Sequence, residues 1–126
     1  MTTTIIVPGT VISTPWRRDR STITVTAHDC ENFVRLRPAL IVAAMRRTTL
    51  TYDEASLAID NEHFAGGMSQ TGRALDLITA DCVARGEPSL AVLCVRSDTG
   101  EVGSHFANPE RAPAGREQCY EYWATK

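Results

Sequence analysis

Arginine can hold guanine through two hydrogen bonds and glutamine can hold adenine in the same way. Gln70 and Arg73, in the run SQTGRALDLI, are therefore the first side chains whose types and spacing could do chemistry. Thr71 stands with them at the start of the same segment. Histidine exchanges protons near neutral pH, so His63 or His105 could act as acid and base on an RNA backbone, helped by an arginine. That chemistry requires the rings to lie within hydrogen-bond reach of the sugar hydroxyl and the leaving oxygen. The four cysteines, Cys30, Cys82, Cys94 and Cys119, lie far apart and form no C-x-x-C pair. They read as free thiols, and no helix or loop spacing joins them or the histidines into a metal site. No metal and no cofactor is expected.

These side chains must be positioned by elements that the sequence marks. Thr51 followed by Glu54 is a capping box, in which the hydroxyl takes an amide of the first turn and the carboxylate reaches back to the cap amide. A helix is predicted from Tyr52 to about Asn61. Gly66-Gly67 break the chain, and Ser69 or Gln70 precedes a longer helix with Leu75, Ile78 and Cys82 on its apolar face. Gly86 is the expected left-handed cap, with Pro88 just beyond. Upstream, TIIV (4–7) and TVIS (10–13) flank Pro8-Gly9 and predict a short strand pair or one bent edge strand. STITVTA (21–27) alternates apolar residues with threonine as a half-buried strand does. Asp29 is the expected cap of a helix over 30–47, bent at Pro38, with Phe33, Leu36, Leu40, Ile41 and Ala44 facing the core. LAVLCVR (90–96) reads as a strand covered on both faces, turned by Asp98-Thr99-Gly100 into EVGSHF to make a hairpin. REQCYEYWAT closes the chain as a short helix.

The order is α+β, a single domain over 1–126 with a strand-rich region over 1–28 and a winged-helix-like centre. In such a centre the second helix of a pair enters a groove of DNA and a hairpin touches the backbone. Composition allows this and excludes other classes. The 126 residues suit one modest core. An apolar share of 43% and a mean hydropathy of −0.17 are ordinary, and no apolar run is long enough to span a membrane. MTTTIIVPG has no basic leader, so a cytoplasmic location is expected. Residues 1–50 carry seven arginines against Asp19, Asp29 and Glu31, whereas the remainder is acidic. The arginines Arg17, Arg18, Arg20, Arg46 and Arg47 could face phosphates, and the acidic second half argues against that half lying on DNA.

LTYDEASLAI, GRALDLI and CVRSDTGEVGSHF resemble the DNA-binding domain of alkylguanine-DNA alkyltransferases and alkyltransferase-like proteins. The resemblance implies that Tyr52 contacts a phosphate and that Arg73 fills the gap left by a flipped nucleotide. It does not extend to the alkyl-accepting Cys-His-Arg, because Cys94 is followed by Val95 and Arg96, and a thiol without a neighbouring base is a poor nucleophile. A second resemblance covers 46–124. Cys82, Gly86, Pro88, Leu90 and Leu93, with the late YEYW, look like a small domain found with HNH-type nucleases and in phage proteins. His105 and Asn108 do not have the spacing of the nuclease element itself.

The reading that follows is a non-catalytic module binding DNA or a DNA-processing partner through Tyr52, Gln70, Thr71, Arg73, Arg46, Arg47, Arg17 and Arg18. The alternative is a protein–protein adaptor or inhibitor of a host machine, with Tyr120, Tyr122 and Trp123 as contact residues. The second alternative is a small endoribonuclease toxin. Partners are thus DNA, a protein or a second copy, with no membrane.

Overall fold

In the computed structural model, which describes residues 4–16, 21–59, 67–103 and 109–124 and the backbone alone over 67–70, Thr26 rather than Asp29 caps the first helix. The Thr26 hydroxyl accepts from the Asp29 amide at 3.1 Å, and the Asp29 carboxylate accepts from the Thr26 amide at 2.9 Å. This is a capping box with aspartate in place of the usual glutamate, so the helix starts three residues earlier than a cap at Asp29 would set it. Helix α1 spans Ala27–Met45 and runs through Pro38 without interruption. Pro38 is exposed, and its missing amide hydrogen costs the Val34 carbonyl its helical donor.

Strands β1 (Val11–Ser13) and β2 (Thr22–Thr24) precede α1 and pair antiparallel, with Ile12 opposite Ile23. The alternation of 21–27 survives as exposed Thr22 and Thr24 about buried Ile23. TIIV forms no strand; it reaches the fold through buried Ile6 and through Thr4, whose hydroxyl donates to Asp81 at 2.6 Å. Trp16 donates to Asp76 at 3.0 Å. The N-terminal region is therefore built into the same core as the helices.

After α1 come β3 (Leu50–Thr51), α2 (Tyr52–Ala58), α3 (Gly67–Arg85), a 3-10 turn over Leu90–Leu93, β4 (Cys94–Val95), a second 3-10 turn over Pro109–Arg111, and α4 (Ala112–Trp123). The expected capping box at Thr51 forms, with Glu54 donating its amide to the hydroxyl at 3.1 Å. Helix α2 ends at Ala58, short of Asn61, because Ile59 is extended. LAVLCVR is not the strand its composition predicts. All of Leu90–Val95 is buried, yet only Cys94 and Val95 pair, parallel to Leu50 and Thr51. A continuous apolar run lacks the periodicity that separates a buried strand from another buried element. The turn at Asp98–Gly100 does form: the Gly100 amide donates to Arg96 O at 2.8 Å and the Arg96 amide to Glu101 O at 2.9 Å. Residues 101–103 form no second strand, and the remainder of EVGSHF lies outside the described residues.

The architecture is mixed α+β and mostly helical. Helix α1 packs on α2, α3, α4 and the 3-10 turn at Leu90. Leu36, Leu40, Leu77, Ile78, Leu90 and Leu93 are fully buried at that junction.

Helices α1 and α3 end alike. After α3, Gly86 has φ +72° and the Glu87 amide reaches back to Cys82 O at 2.9 Å. After α1, Arg47 takes the left-handed position with φ +56°, and the Thr48 amide reaches Ala43 O at 2.9 Å. A residue with a Cβ pays about 1–2 kcal/mol for that conformation, which glycine avoids. Arg47→Gly should therefore be about 1 kcal/mol more stable than Arg47→Ala in urea denaturation, since neither variant keeps the side chain and only the backbone term differs. Core truncation by Leu36→Ala should cost about 2–5 kcal/mol by the same measurement.

Candidate functional site

Arg73 occupies the second turn of α3. Its Nε donates to Asp29 Oδ1 and its Nη2 to Asp29 Oδ2, both at 2.8 Å, and Nη2 also reaches Thr24 O at 3.0 Å. The guanidinium is thus a two-pronged clasp joining α3 to the end of β2 and the start of α1. Asp29 is only 4% exposed while the Arg73 side chain is 37% exposed, so the pair sits at the boundary of the core. Burial alone would raise the Asp29 carboxyl, but the bonds from Arg73 and from the Thr26 amide outweigh it and hold it below its ordinary value.

The remaining candidates fall into three groups. Tyr52 and Thr71 point inward. Tyr52 is buried, burial pushes its phenol above the ordinary range, and the Gly103 backbone beside it acts the other way. Thr71 is fully buried with its hydroxyl 2.7 Å from that of Ser56, a bond between α2 and α3. Arg46 and Arg47 are exposed at the end of α1. Arg47 lies 3.5 Å from Glu117 and 5.7 Å from the Tyr120 ring centroid, whereas Arg46 carries no such contact among the described residues. The third group, Arg17, Arg18, Arg20, His63, His105 and the side chain of Gln70, lies outside the described residues. The structure therefore brings Arg73, Tyr52 and Thr71 into the packing around α3 and leaves Arg46 and Arg47 on the far end of α1.

A second charge cluster had no signal in the sequence beyond its residue types. Asp81 is fully buried on α3 and accepts from Arg85 at 2.7 Å and from Thr4. Arg37 of α1 lies 3.5 Å from Asp81 and donates through Nη2 to Glu87 at 3.1 Å. Its Nη1 approaches the other Glu87 oxygen to 2.9 Å but off the hydrogen-bond axis, so that contact is an ion pair alone. The same guanidinium stands 5.8 Å from the Trp123 ring. Arg116 of α4 makes a comparable fork to Glu101, at 2.7 and 2.9 Å. These pairs tie α1 to α3 and to the segment just after it, and α4 to Glu101 past the Asp98–Gly100 turn. The groove beside them, about 540 Å3, is shallow and runs past Gly86, Pro88, Gln118 and Tyr122.

All four cysteines are free thiols, as expected. Burial pushes Cys94 up to about 12, aided by Glu54, and Cys119 up to about 12, aided by Cys82. Cys82 and Cys30 are raised by burial as well. Protonated thiols are weak nucleophiles. Among the described residues no group of three or more metal-ligating side chains comes together, and no described helix is long and apolar enough to cross a membrane.

The sequence reading missed a set of apolar side chains in water. Leu57 on α2 is 83% exposed and Val83 on α3 70%, and Val34, Val42 and Met45 stand out from α1. Their signal was present in α1, where Val34, Pro38, Val42 and Met45 recur at helical spacing opposite Phe33, Leu36 and Leu40.

Removing the clasp leaves Asp29 charged and underpartnered, so Arg73→Ala should lose about 1–3 kcal/mol in urea denaturation. The pH dependence has a definite sign. A carboxyl held low in the folded state contributes stability above its ordinary value of 3.8 that is lost as the pH falls. The stability gap between the native chain and Asp29→Asn should be widest above about pH 5 and close in acid. With a disulfide thiol reagent at pH 8, half-buried Cys30 should react first and the other thiols only on unfolding. Comparison of the chain with protein-family models, curated proteins and solved structures finds no match.

Proposed function

We propose that this chain is a non-catalytic adaptor that acts by binding another protein. The observation that carries this reading is the division of side chains between core and surface. Among the described residues, several polar groups suited to chemistry are engaged within the fold: Arg73 with Asp29, Thr71 with Ser56, and thiols that stay protonated. The apolar side chains Leu57, Val83, Val34 and Val42 are largely exposed on the surface, where a partner could cover them. Exposed aliphatic side chains gain about 1.5–3 kcal/mol each when a partner covers them fully. The aromatic tail fits less well as the contact, since Trp123 is buried and Tyr120 and Tyr122 are half-buried against the core.

A second reading, DNA binding by a winged-helix-like centre, draws on the opening turn of α3. That turn has no acidic residue of its own, which suits the positive end of a helix dipole to an anion such as phosphate. On this reading Arg46, Arg47, Gln70 and the arginines at 17 and 18 supply the contacts, and Arg73 only holds α3 in place.

Affinity capture from a host lysate with the native chain, Leu57→Glu and Val83→Glu separates the two. The adaptor reading expects a protein recovered in stoichiometric yield by the native chain and lost with at least one variant. Recovery of the same proteins by all three baits would sink it. Fluorescence anisotropy with duplex DNA over a salt series tests the second reading: binding whose salt slope falls by about one per arginine in Arg46→Ala and Arg47→Ala would favour DNA over protein.

A further inference from the structure

We propose that the outer face of α1 is a dimer interface, and that its occupant is α1 of a second copy of this chain, laid antiparallel about a two-fold axis through Pro38. The inference rests on the adaptor reading in treating exposed apolar surface as contact surface, and it names the partner for one such surface. Val34, Val42 and Met45 are 63%, 50% and 46% exposed. With exposed Pro38 and half-buried Ile41 they form one stripe along the helix, facing away from the α2, α3 and α4 contacts. A stripe of this kind on a helix that already buries its other face calls for a second surface.

Charge selects the second copy and its direction. Glu31 stands at the N-terminal end of the stripe and Arg46 at its C-terminal end, both exposed. Glu31 lies seven residues before Pro38 and Arg46 eight after it. With a rise of about 1.5 Å per residue, an antiparallel copy brings Glu31 of one chain within about one residue's rise of Arg46 of the other. At 3.6 residues per turn both residues project on the Val42 side of Val34, about 60° apart around the helix, which a two-fold axis perpendicular to the helices requires if they are to meet. The pairing occurs twice by symmetry, with Val34 on Val42 across the axis and Pro38 on Pro38 at its centre. An interface of this type is self-complementary, so the same patch serves both copies. A parallel copy would instead set Glu31 against Glu31 and Arg46 against Arg46. Helix ends also favour the antiparallel order, because each negative C-terminal end then lies beside a positive N-terminal end.

Sedimentation equilibrium of the full chain over a concentration series tests this. The native chain should dimerise, and Val42→Lys, at an exposed position, should weaken the dimer by about a hundredfold while far-UV circular dichroism and the thermal midpoint stay unchanged. Glu31→Arg should weaken it by about tenfold, and adding Arg46→Glu to that variant should restore the affinity, since the two pairs are then re-formed with signs exchanged. A native chain that stays monomeric to about 1 mM, where a dissociation constant would correspond to only about 4 kcal/mol, overturns the proposal. So does a dimer indifferent to Val42→Lys, or one that the charge exchange does not restore. A monomer whose captured partner is lost on Leu57→Glu overturns the dimer and leaves the adaptor reading in place. A dimer that captures no other protein does the reverse.

Discussion

One buried carboxylate, Asp29, connects the end of β2, the first turn of α1 and helix α3. Its oxygens receive the Thr26 amide and both prongs of Arg73, so the same group ends the β2 approach, starts α1 and anchors α3. A charged group at this depth is tolerated only with its lone pairs occupied. Three bonds from two segments meet that need, and they make the placement of α3 depend on the first turn of α1. The second guanidinium hydrogen bond of Arg73 Nη2, to Thr24 O, extends the tie to the strand itself.

The same economy recurs at the other end of α3. Asp81 is buried without exposure and is met from three directions, by Arg37 of α1, by Arg85 one turn on and by Thr4 of the N-terminal segment. Arg37 in turn holds Glu87, just past the left-handed Gly86, and covers Trp123 of α4. Helix α3 is thus pinned near both ends by charge and along its length by Leu75, Leu77 and Ile78. Such networks contribute geometry more than net stability, because the desolvation they require offsets much of the attraction. They do restrict how the helices can sit, and a chain with only a modest core gains definition from that restriction.

The exposed faces of α1 and α2 carry Val34, Val42, Met45 and Leu57. Pro38 fits this pattern. It stands on the exposed face of α1, away from Phe33, Leu36 and Leu40, so its ring displaces no core side chain. Arg47 shows a different compromise: a side chain in a left-handed position that glycine would fill more cheaply, retained over Tyr120 and near Glu117.

By itself the sequence determined local order. The Thr51–Glu54 box, the glycine stop at Gly86, the threonine alternation about Ile23 and the turn at Asp98–Gly100 each depend on neighbours a few residues away, and each is present. Where two local signals competed, the reading slipped: Asp29 is a capping-box partner and not the cap, because Thr26 offers a hydroxyl three residues earlier. The apolar run at 90–95 could not be read either, since burial on every side removes the periodicity that distinguishes one element from another. Only the tertiary structure decided what the arginines do. Arg73 is 44 residues from Asp29 and Arg37 is 50 from Glu87. A guanidinium has the same fork for a carboxylate as for a phosphate or a base edge, so its chemistry alone does not choose between them. The choice is made by which carboxylate the packing of α1 against α3 brings within reach.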